Sequence, residues 1–418
     1  MPADQTMPDG LLGALFALEG IKDSVTILNG PTGCKYYPAS LSDAMFQRQV
    51  SFNPLQHVGE FYFGQPRIPC TYMDSQDYIM GSEPKLRRVF DLVQGLNPSM
   101  IGIINSPGAS LIGEGLRVES TRVPVVKMES PGYSHSISEG FQNGVQSIME
   151  SISLEPMSPA DKRVNLLGLS IWHLGWMDSI EDLKGILGLC GIQLSAVVGA
   201  GWTLEEARDS ASASLNVVVD DDFSSSISRW YEKELGVPSL KVEGGSPLGF
   251  DNLERWISAV CGELDANPEP ALRRIRYCRH EAYREISRLN AATGLPKGRT
   301  FSLSGHASLL LPVLKLMHSY LGMVPLSIKV KHGCREQLDD YLAQNGLSDI
   351  GEDVMETAVD LALADGNTIA ALMAKGLICN GVDILHPGLR SVHLRPRPIL
   401  GLQGTMGILD EILNALSR

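Results

Sequence analysis

The sequence predicts an α/β protein of three successive Rossmann-like domains, each a parallel sheet flanked by helices. Two observations predict this class. Short apolar, β-branched runs alternate with segments of helical spacing, which is the pattern of βαβ units. The alternation also breaks and restarts twice, at a polar, proline-bearing stretch (156–162) and at a long charged helical stretch (271–291). The expected domains are 1–158, completed by the C-terminal helix; 159–296, ending in the helical connector; and 297–418, with an irregular tail.

In the first domain, residues 11–20 read as a short apolar helix and 24–28 as the first buried strand. The turn Asn29-Gly30-Pro31-Thr32-Gly33-Cys34 follows. Glycine lets the backbone turn sharply and approach another group closely, and proline fixes one φ angle, so the thiol is held rigidly at an edge. A free cysteine is most often a small buried hydrophobe, and that reading stays open at this point. The aromatic, proline- and glycine-rich segment 51–70 has no period and reads as a loop packed against something. Residues 84–96 have helical spacing, 100–104 form a second strand ending at Asn105-Ser106-Pro107-Gly108, and 123–128 a third. Loops after the strands of a parallel sheet line the crevice where ligands bind, and Cys34 and Ser106 both occupy such loops.

The second domain reads as strand 163–170, helix 179–189, strand 193–198, helix 203–212 and strand 215–219, closed by Asp220-Asp221-Asp222. A short run at 239–242 precedes a helix from Phe250. In the third domain, strand 299–304 leads to Gly305-His306 and a helix through Tyr320. Strands at 324–330 and 357–363 follow, then 379–385, an irregular loop 386–398 and a last helix 405–416.

A chain of 418 residues with 44% hydrophobic and 20% charged residues is an ordinary globular protein with a sizeable core. A net charge of −13 argues against non-specific binding to nucleic acid or anionic membrane, so partners are expected to be proteins or small molecules. No apolar stretch approaches the ~18–20 residues that span a bilayer, and residues 1–10 lack a secretory pattern, so a cytoplasmic location is expected. Seven cysteines occur without a C-x-x-C pair, so any metal site must be assembled from distant segments. No P-loop and no strand-linked G-x-G-x-x-G occurs, which makes nucleotide chemistry within the chain unlikely.

Several polar groups are candidates for chemistry. The Asp220–222 triplet could hold a hard cation, although a triplet at a strand end more often faces water or caps a helix. His306, at a strand-to-helix turn, and His332, His386 and His393 in late loops suit proton delivery near neutral pH. Arg390, Arg395 and Arg397 could pair with substrate carboxylates or with acids of a neighbouring domain.

The order of these features resembles component 1 of nitrogenase. The resemblance rests on the Gly30-Pro31-Thr32-Gly33-Cys34 opening, the Asp74-Ser75-Gln76-Asp77-Tyr78-Ile79-Met80-Gly81-Ser82 segment and Ser110-Leu111-Ile112-Gly113-Glu114 after a strand. It extends to Leu215-Asn216-Val217-Val218, to 227–238 and to the 385–413 tail. That family includes dinitrogen-reducing subunits, cofactor-assembly scaffolds, dark-operative protochlorophyllide and chlorophyllide reductases, and an enzyme reducing a nickel tetrapyrrole. The resemblance implies electrons delivered by a separate homodimeric, ATP-hydrolysing iron–sulfur protein, through a [4Fe–4S] cluster at a subunit interface. Gly30, Gly33, Cys34 and Ser106 would then be cofactor-binding residues.

Members with a full cluster set carry three cysteines in the first domain. Of these this chain keeps Cys34, with Asp9 near the first position and Pro107 at the third. Two arrangements would complete the cluster. In one, a second component 1-like subunit of a heterotetramer gives three thiolates and this chain gives one ligand, Cys34 or Asp9. In the other, a homodimer supplies Cys34 and Cys70 twice.

Asp220 stands where dinitrogen-reducing chains place a cluster-binding cysteine, which removes a soft ligand and disfavours dinitrogen reduction. The resemblance therefore implies a reductase of an unsaturated organic substrate, a tetrapyrrole being one candidate, bound between the domains with Asp220, His306 and His393 as proton donors or contacts. A scaffold for metallocofactor assembly is the alternative, and a metal-free binding module a third reading.

Overall fold

Three parallel sheets follow one another along the chain in the computed structural model. It describes residues 9–47, 53–61, 67–113, 115–120, 122–129, 135–347, 349–388 and 394–417. The expected fold class is the one observed.

The first unit contains α1 (Gly10–Glu19), β1 (Ser24–Asn29), α2 (Thr32–Met45), α3 (Asp77–Met80), α4 (Glu83–Gly95), β2 (Met100–Asn105), α5 (Pro107–Leu111), β3 (Val125–Met128) and α6 (Ile137–Ser151), with sheet order β1-β2-β3. The second contains β4 (Ala160–Leu167), α7 (Trp176–Leu189), β5 (Gln193–Val197), α8 (Leu204–Asp209), β6 (Ala213–Val218), α9 (Ser225–Trp230), β7 (Ser239–Leu240), α10 (Phe250–Glu263) and α11 (Glu269–Thr293). The third contains β8 (Thr300–His306), α12 (Ala307–Lys315), β9 (Val324–His332), α13 (Glu336–Gln344), β10 (Leu361–Asp365), α14 (Gly366–Ala374), β11 (Asn380–Leu385) and α15 (Gly401–Leu416).

The second sheet runs β5-β4-β6-β7 and the third β11-β10-β8-β9. In each, the chain reverses its direction of growth between two central strands, β4 and β6 in one and β8 and β10 in the other. Such switch points open a crevice at the carboxyl ends of the strands.

Strand interiors are apolar because both faces are covered: all six residues of β2 are buried. Helix α1 is buried almost all round, from Leu11 to Leu18, and crosses α6 so closely that glycine is required on both sides. A Cβ on Gly13 would lie 1.9 Å from the Ile137 carbonyl oxygen, and one on Gly140 would lie 2.0 Å from the Gly10 carbonyl oxygen. The one carboxylate of α1, Glu19, is buried against Arg67 at 3.2 Å and accepts from Ser42 at 2.9 Å. That buried pair ties the segment leading to Cys70 onto the first helix.

Several local expectations are corrected. Helices α2 and α6 are not predicted by the sequence pattern: α2 carries Pro38 in its interior, and α6 contains two glycines that break its apparent period. The third strand of the last sheet is Leu361–Asp365 rather than 357–363, because Asp360 is held as an acceptor for the Thr300 N–H at 2.7 Å. The C-terminal helix α15, expected to complete the first domain, packs instead on α7, α10, α11 and β11. Its first turn is capped by Asp182 of α7, which accepts from Gln403 N at 2.7 Å.

Gly140→Ala should force α1 and α6 apart and destabilise the first unit by about 1–3 kcal/mol, as overpacking a close contact does. The check is the thermal unfolding midpoint: Gly140→Ala lowers it, while Gly185→Ala, inside α7 with open space around it, raises it slightly.

Candidate functional site

Chemistry-bearing side chains collect at two places, both at carboxyl ends of parallel strands. The first is the turn after β1. Asn29, the last residue of β1, donates to Asn105 Oδ1 at 2.9 Å, and its own Oδ1 accepts from Thr71 at 2.9 Å and Ser82 at 3.1 Å. Thr71 in turn accepts the Gly30 N–H at 3.0 Å. Residues 69–71 run alongside β1, with Leu28 N donating to Pro69 O and Thr71 N donating to Leu28 O. This brings Cys70, forty positions away in sequence, onto the turn, where its thiol donates to Gly30 O at 3.2 Å.

Gly30 is required here: a Cβ would lie 2.5 Å from Ser106 Cβ. Ser106 itself caps α5, accepting from Ala109 N at 3.3 Å. Gly33 has no neighbour within 4 Å of a built Cβ and faces open space. Asp9 caps α1, accepting from Leu12 N at 3.1 Å, and its charge raises the proton affinity of the Cys34 thiol, a smaller effect than that thiol's partial burial. Burial pushes the Cys70 thiol up to about 11, against the Tyr72 N–H and the Lys35 ammonium that favour thiolate. Lys35 is itself held by burial near 8 and donates to the Tyr72 hydroxyl at 3.2 Å.

Asp9, Cys34 and Cys70 are thus electrostatically coupled across one turn, with Cys34 half-buried, Cys70 buried and residues 32 and 33 exposed. Two thiols and a carboxylate bordering open space are a donor set that fits part of the coordination of an iron–sulfur cluster. Around them lie large exposed apolar side chains, Tyr36, Tyr37, Ile79, Met80 and Leu111.

The second place lies where the second and third sheets meet. His173 follows β4, Asp220 follows β6, His306 ends β8, His332 ends β9 and His386 follows β11. Asp220 Oδ2 lies 2.8 Å from His306 Nε2 and 3.4 Å from His173 Nε2. Neither contact has hydrogen-bond geometry, and the Nε2 atoms of His173, His306 and His332 are all buried without a hydrogen-bond partner. The rings of His306 and His332 stack at 5.4 Å, and Phe223 closes one side, 4.6 Å from the His173 ring.

Burial alone would raise the Asp220 carboxyl; the charges of His306 and His173 outweigh it and hold it below the usual carboxylate range. Burial alone would lower His306; Asp220 outweighs it and raises it. His332 and His386 are pushed by burial down to about 3 and about 4. The cavity that His173, Asp220, His306 and Ser246 line has about 10 Å³ of free space, room for about one water.

The structure brings Asp9, Cys34, Cys70, Gly30 and Ser106 together at one place, and Asp220 and His306 at the other. His393 and Arg390 lie outside the described residues. The acidic triplet diverges: Asp221 pairs with Lys241 at 2.6 Å, and Asp222 accepts the Ser308 N–H of α12 at 2.8 Å. Arg397 pairs with an acid of its own unit rather than of a neighbouring domain, with two 2.6 Å contacts to Glu411. His173 is not among the candidates read from the sequence. The signal that could have found it is its place in a post-strand loop, the same reasoning that singled out Cys34.

The chain matches the nitrogenase component 1 type oxidoreductase family model over residues 10–417, and it belongs to that family. It is 20% identical to the nitrogenase molybdenum-iron protein beta chain of Methanococcus maripaludis, over 97% of this chain and 92% of that one. It is 22% identical to the nitrogenase iron-molybdenum cofactor biosynthesis protein NifN of Nostoc sp. (88% and 82% covered). It is 24% identical to one of the light-independent protochlorophyllide reductase subunits of Synechococcus sp. (66% and 52% covered). A solved structure described as nitrogenase Cp1 at pH 5 superposes with a TM-score of 0.73 at 17% identity, covering 98% of this chain and 88% of that one. The family resemblance and the three-sheet fold read from the sequence are therefore correct.

The exposure pattern predicts an order of thiol modification. In metal-free protein, iodoacetamide should label exposed Cys334 and Cys379 first, half-buried Cys34 more slowly, and buried Cys70 only after unfolding. Peptide mapping by mass spectrometry reads the order.

Proposed function

We propose that this member of the nitrogenase component 1 type family is the substrate-reducing partner of an ATP-hydrolysing iron–sulfur protein, with a [4Fe–4S] cluster held at a subunit interface by Cys34 and Cys70. The observation that carries the reading is the delivery of Cys70 onto the Cys34 turn, beside Asp9 and facing open space at Gly33. A bound cluster supplies one-electron storage and relay there.

The chain's own residues do the rest. Cys34 and Cys70 give two thiolates, and a twofold-related copy gives two more, the number such a cluster requires. The Lys35 ammonium offsets thiolate charge, while the Asn29, Thr71 and Ser82 hydrogen bonds keep the turn from moving as charge changes. Tyr36 and Tyr37 flank the turn, and Ile79, Met80 and Leu111 form an exposed apolar surface suited to partner chains. Having no P-loop, the chain leaves ATP hydrolysis to the docking partner.

An organic substrate is the reading's end point. A tetrapyrrole would have to part the strand ends around His306, because the cavity there admits about one water.

The test is anaerobic purification with chemical iron and sulfide analysis and EPR. The expected result is a brown protein with about two irons per chain in a homodimer. Cys34→Ala and Cys70→Ala should each lose iron, sulfide and the EPR signal of the reduced cluster. A second component 1-like subunit in the purified complex would replace the homodimer with the heteromer. Metal transfer to an acceptor without ATP-dependent reduction would make the chain a scaffold. Colourless, iron-free protein would overturn the reading.

A further inference from the structure

We propose that His173, Asp220 and His306 form a mononuclear binding site for a divalent first-row transition ion such as Zn²⁺ or Fe²⁺, separate from any iron–sulfur cluster. The three ligand atoms lie within 4.8 Å of one another, and all three residues are buried. In a tetrahedral site with bonds of about 2.0–2.1 Å, neighbouring ligand atoms stand roughly 3.3 Å apart, and in an octahedral one roughly 2.9 Å. The two spacings from Asp220 Oδ2, 3.4 Å to His173 Nε2 and 2.8 Å to His306 Nε2, lie near this ligand-to-ligand range.

Three further observations point to a ligand. Buried polar atoms are normally hydrogen-bonded, so an unpaired one demands an explanation. Here Ser246 Oγ is buried without a hydrogen-bond partner, and His173 Nε2 and His306 Nε2 face only the Asp220 carboxylate, outside hydrogen-bond geometry; all four residues line one cavity. That cavity has about 10 Å³ of free space. It is too small for a multi-iron cofactor, and it suits a single ion that the Ser246 hydroxyl can approach.

The remaining hydrogen bonds orient the ligands. Asp220 Oδ1 accepts from Asp222 N at 3.0 Å, which leaves Oδ2 for the ion. The Nδ1 of His173 lies 3.3 Å from Ser170 O, so that carbonyl can take an Nδ1 proton when Nε2 carries the ion. The Ser170 N–H also points at this Nδ1, at 3.0 Å. Phe223 and Leu309 close the site with apolar surface.

Two imidazoles and one carboxylate are a borderline donor set that selects transition ions over Mg²⁺ or Ca²⁺. His332, stacked on His306, stands outside the three-ligand set and packs as part of its wall.

The test uses full-length protein and Co²⁺ as the probe, followed by visible absorption and by metal analysis after gel filtration. One equivalent per chain is expected, with the intense visible bands of a low-coordinate site. Asp220→Asn and His306→Gln should each weaken binding by more than the ~10–100-fold that loss of an outer-shell group causes. His332→Phe should keep the site. Far-UV circular dichroism confirms that the near-isosteric Asp220→Asn variant is folded; should it not be, His173→Gln takes its place.

Cys34→Ala should lose cluster iron yet still take up Co²⁺, so failure of the redox reading and failure of this one are distinguishable. Absent Co²⁺ uptake by wild-type protein, or equal uptake by wild type and the folded Asp220 and His306 variants, overturns the proposal.

Discussion

The constraint on which the structure depends is the polarity of its parallel sheets. Parallel pairing sends every strand of a sheet in the same direction, so all carboxyl ends lie on one edge. In this chain that edge holds the turn after β1, the Ser106 cap after β2, and His173, Asp220, His306, His332 and His386 at the ends of five later strands. Asp220 and His173 belong to the two strands that flank the second sheet's switch point, and His306 ends a strand flanking the third's. Residues 47 to 133 positions apart in sequence converge because the topology leaves their loops no other edge to occupy.

The first site adds a different constraint. Asn29 uses both ends of its amide, donating to Asn105 and accepting from Thr71 and Ser82. One side chain thus fixes β1 against β2 and fixes the Cys70 segment against β1. A second tie is the Glu19–Arg67 pair, buried on both sides. Breaking a buried pair by removing one partner leaves an uncompensated charge, so the segment carrying Cys70 is held in place from both its ends.

The sequence showed clearly what depends on local pattern. The apolar runs of β1, β2, β6 and β8 stand out because both faces of those strands are buried. The glycine-proline turn at Gly30 was legible because a side chain there would collide with Ser106. Helix α2 was hidden by Pro38, which tertiary packing tolerates. Helix α6 was hidden by glycines whose role is the close crossing with α1, although its Ser136–Glu139 capping box was readable. The corner where Asp220 meets His173 and His306 had no local signature, because each contributor is a single residue at the end of a different strand.

The two sites also divide donor chemistry between them. The Cys34 and Cys70 thiols lie at the first sheet, on a turn that borders open space. The His173, His306 and Asp220 side chains lie between the second and third sheets, around one small cavity, with Phe223 packed on the His173 ring. Soft thiolates favour iron–sulfur chemistry, whereas imidazole and carboxylate favour single borderline ions. The carboxylate at position 220 governs the second place. It is close enough to two histidines to pair with them, and the wall of side chains around the three leaves no room for a larger inorganic group. In this chain the clustered thiols and the clustered imidazole and carboxylate groups are assigned to different sheets.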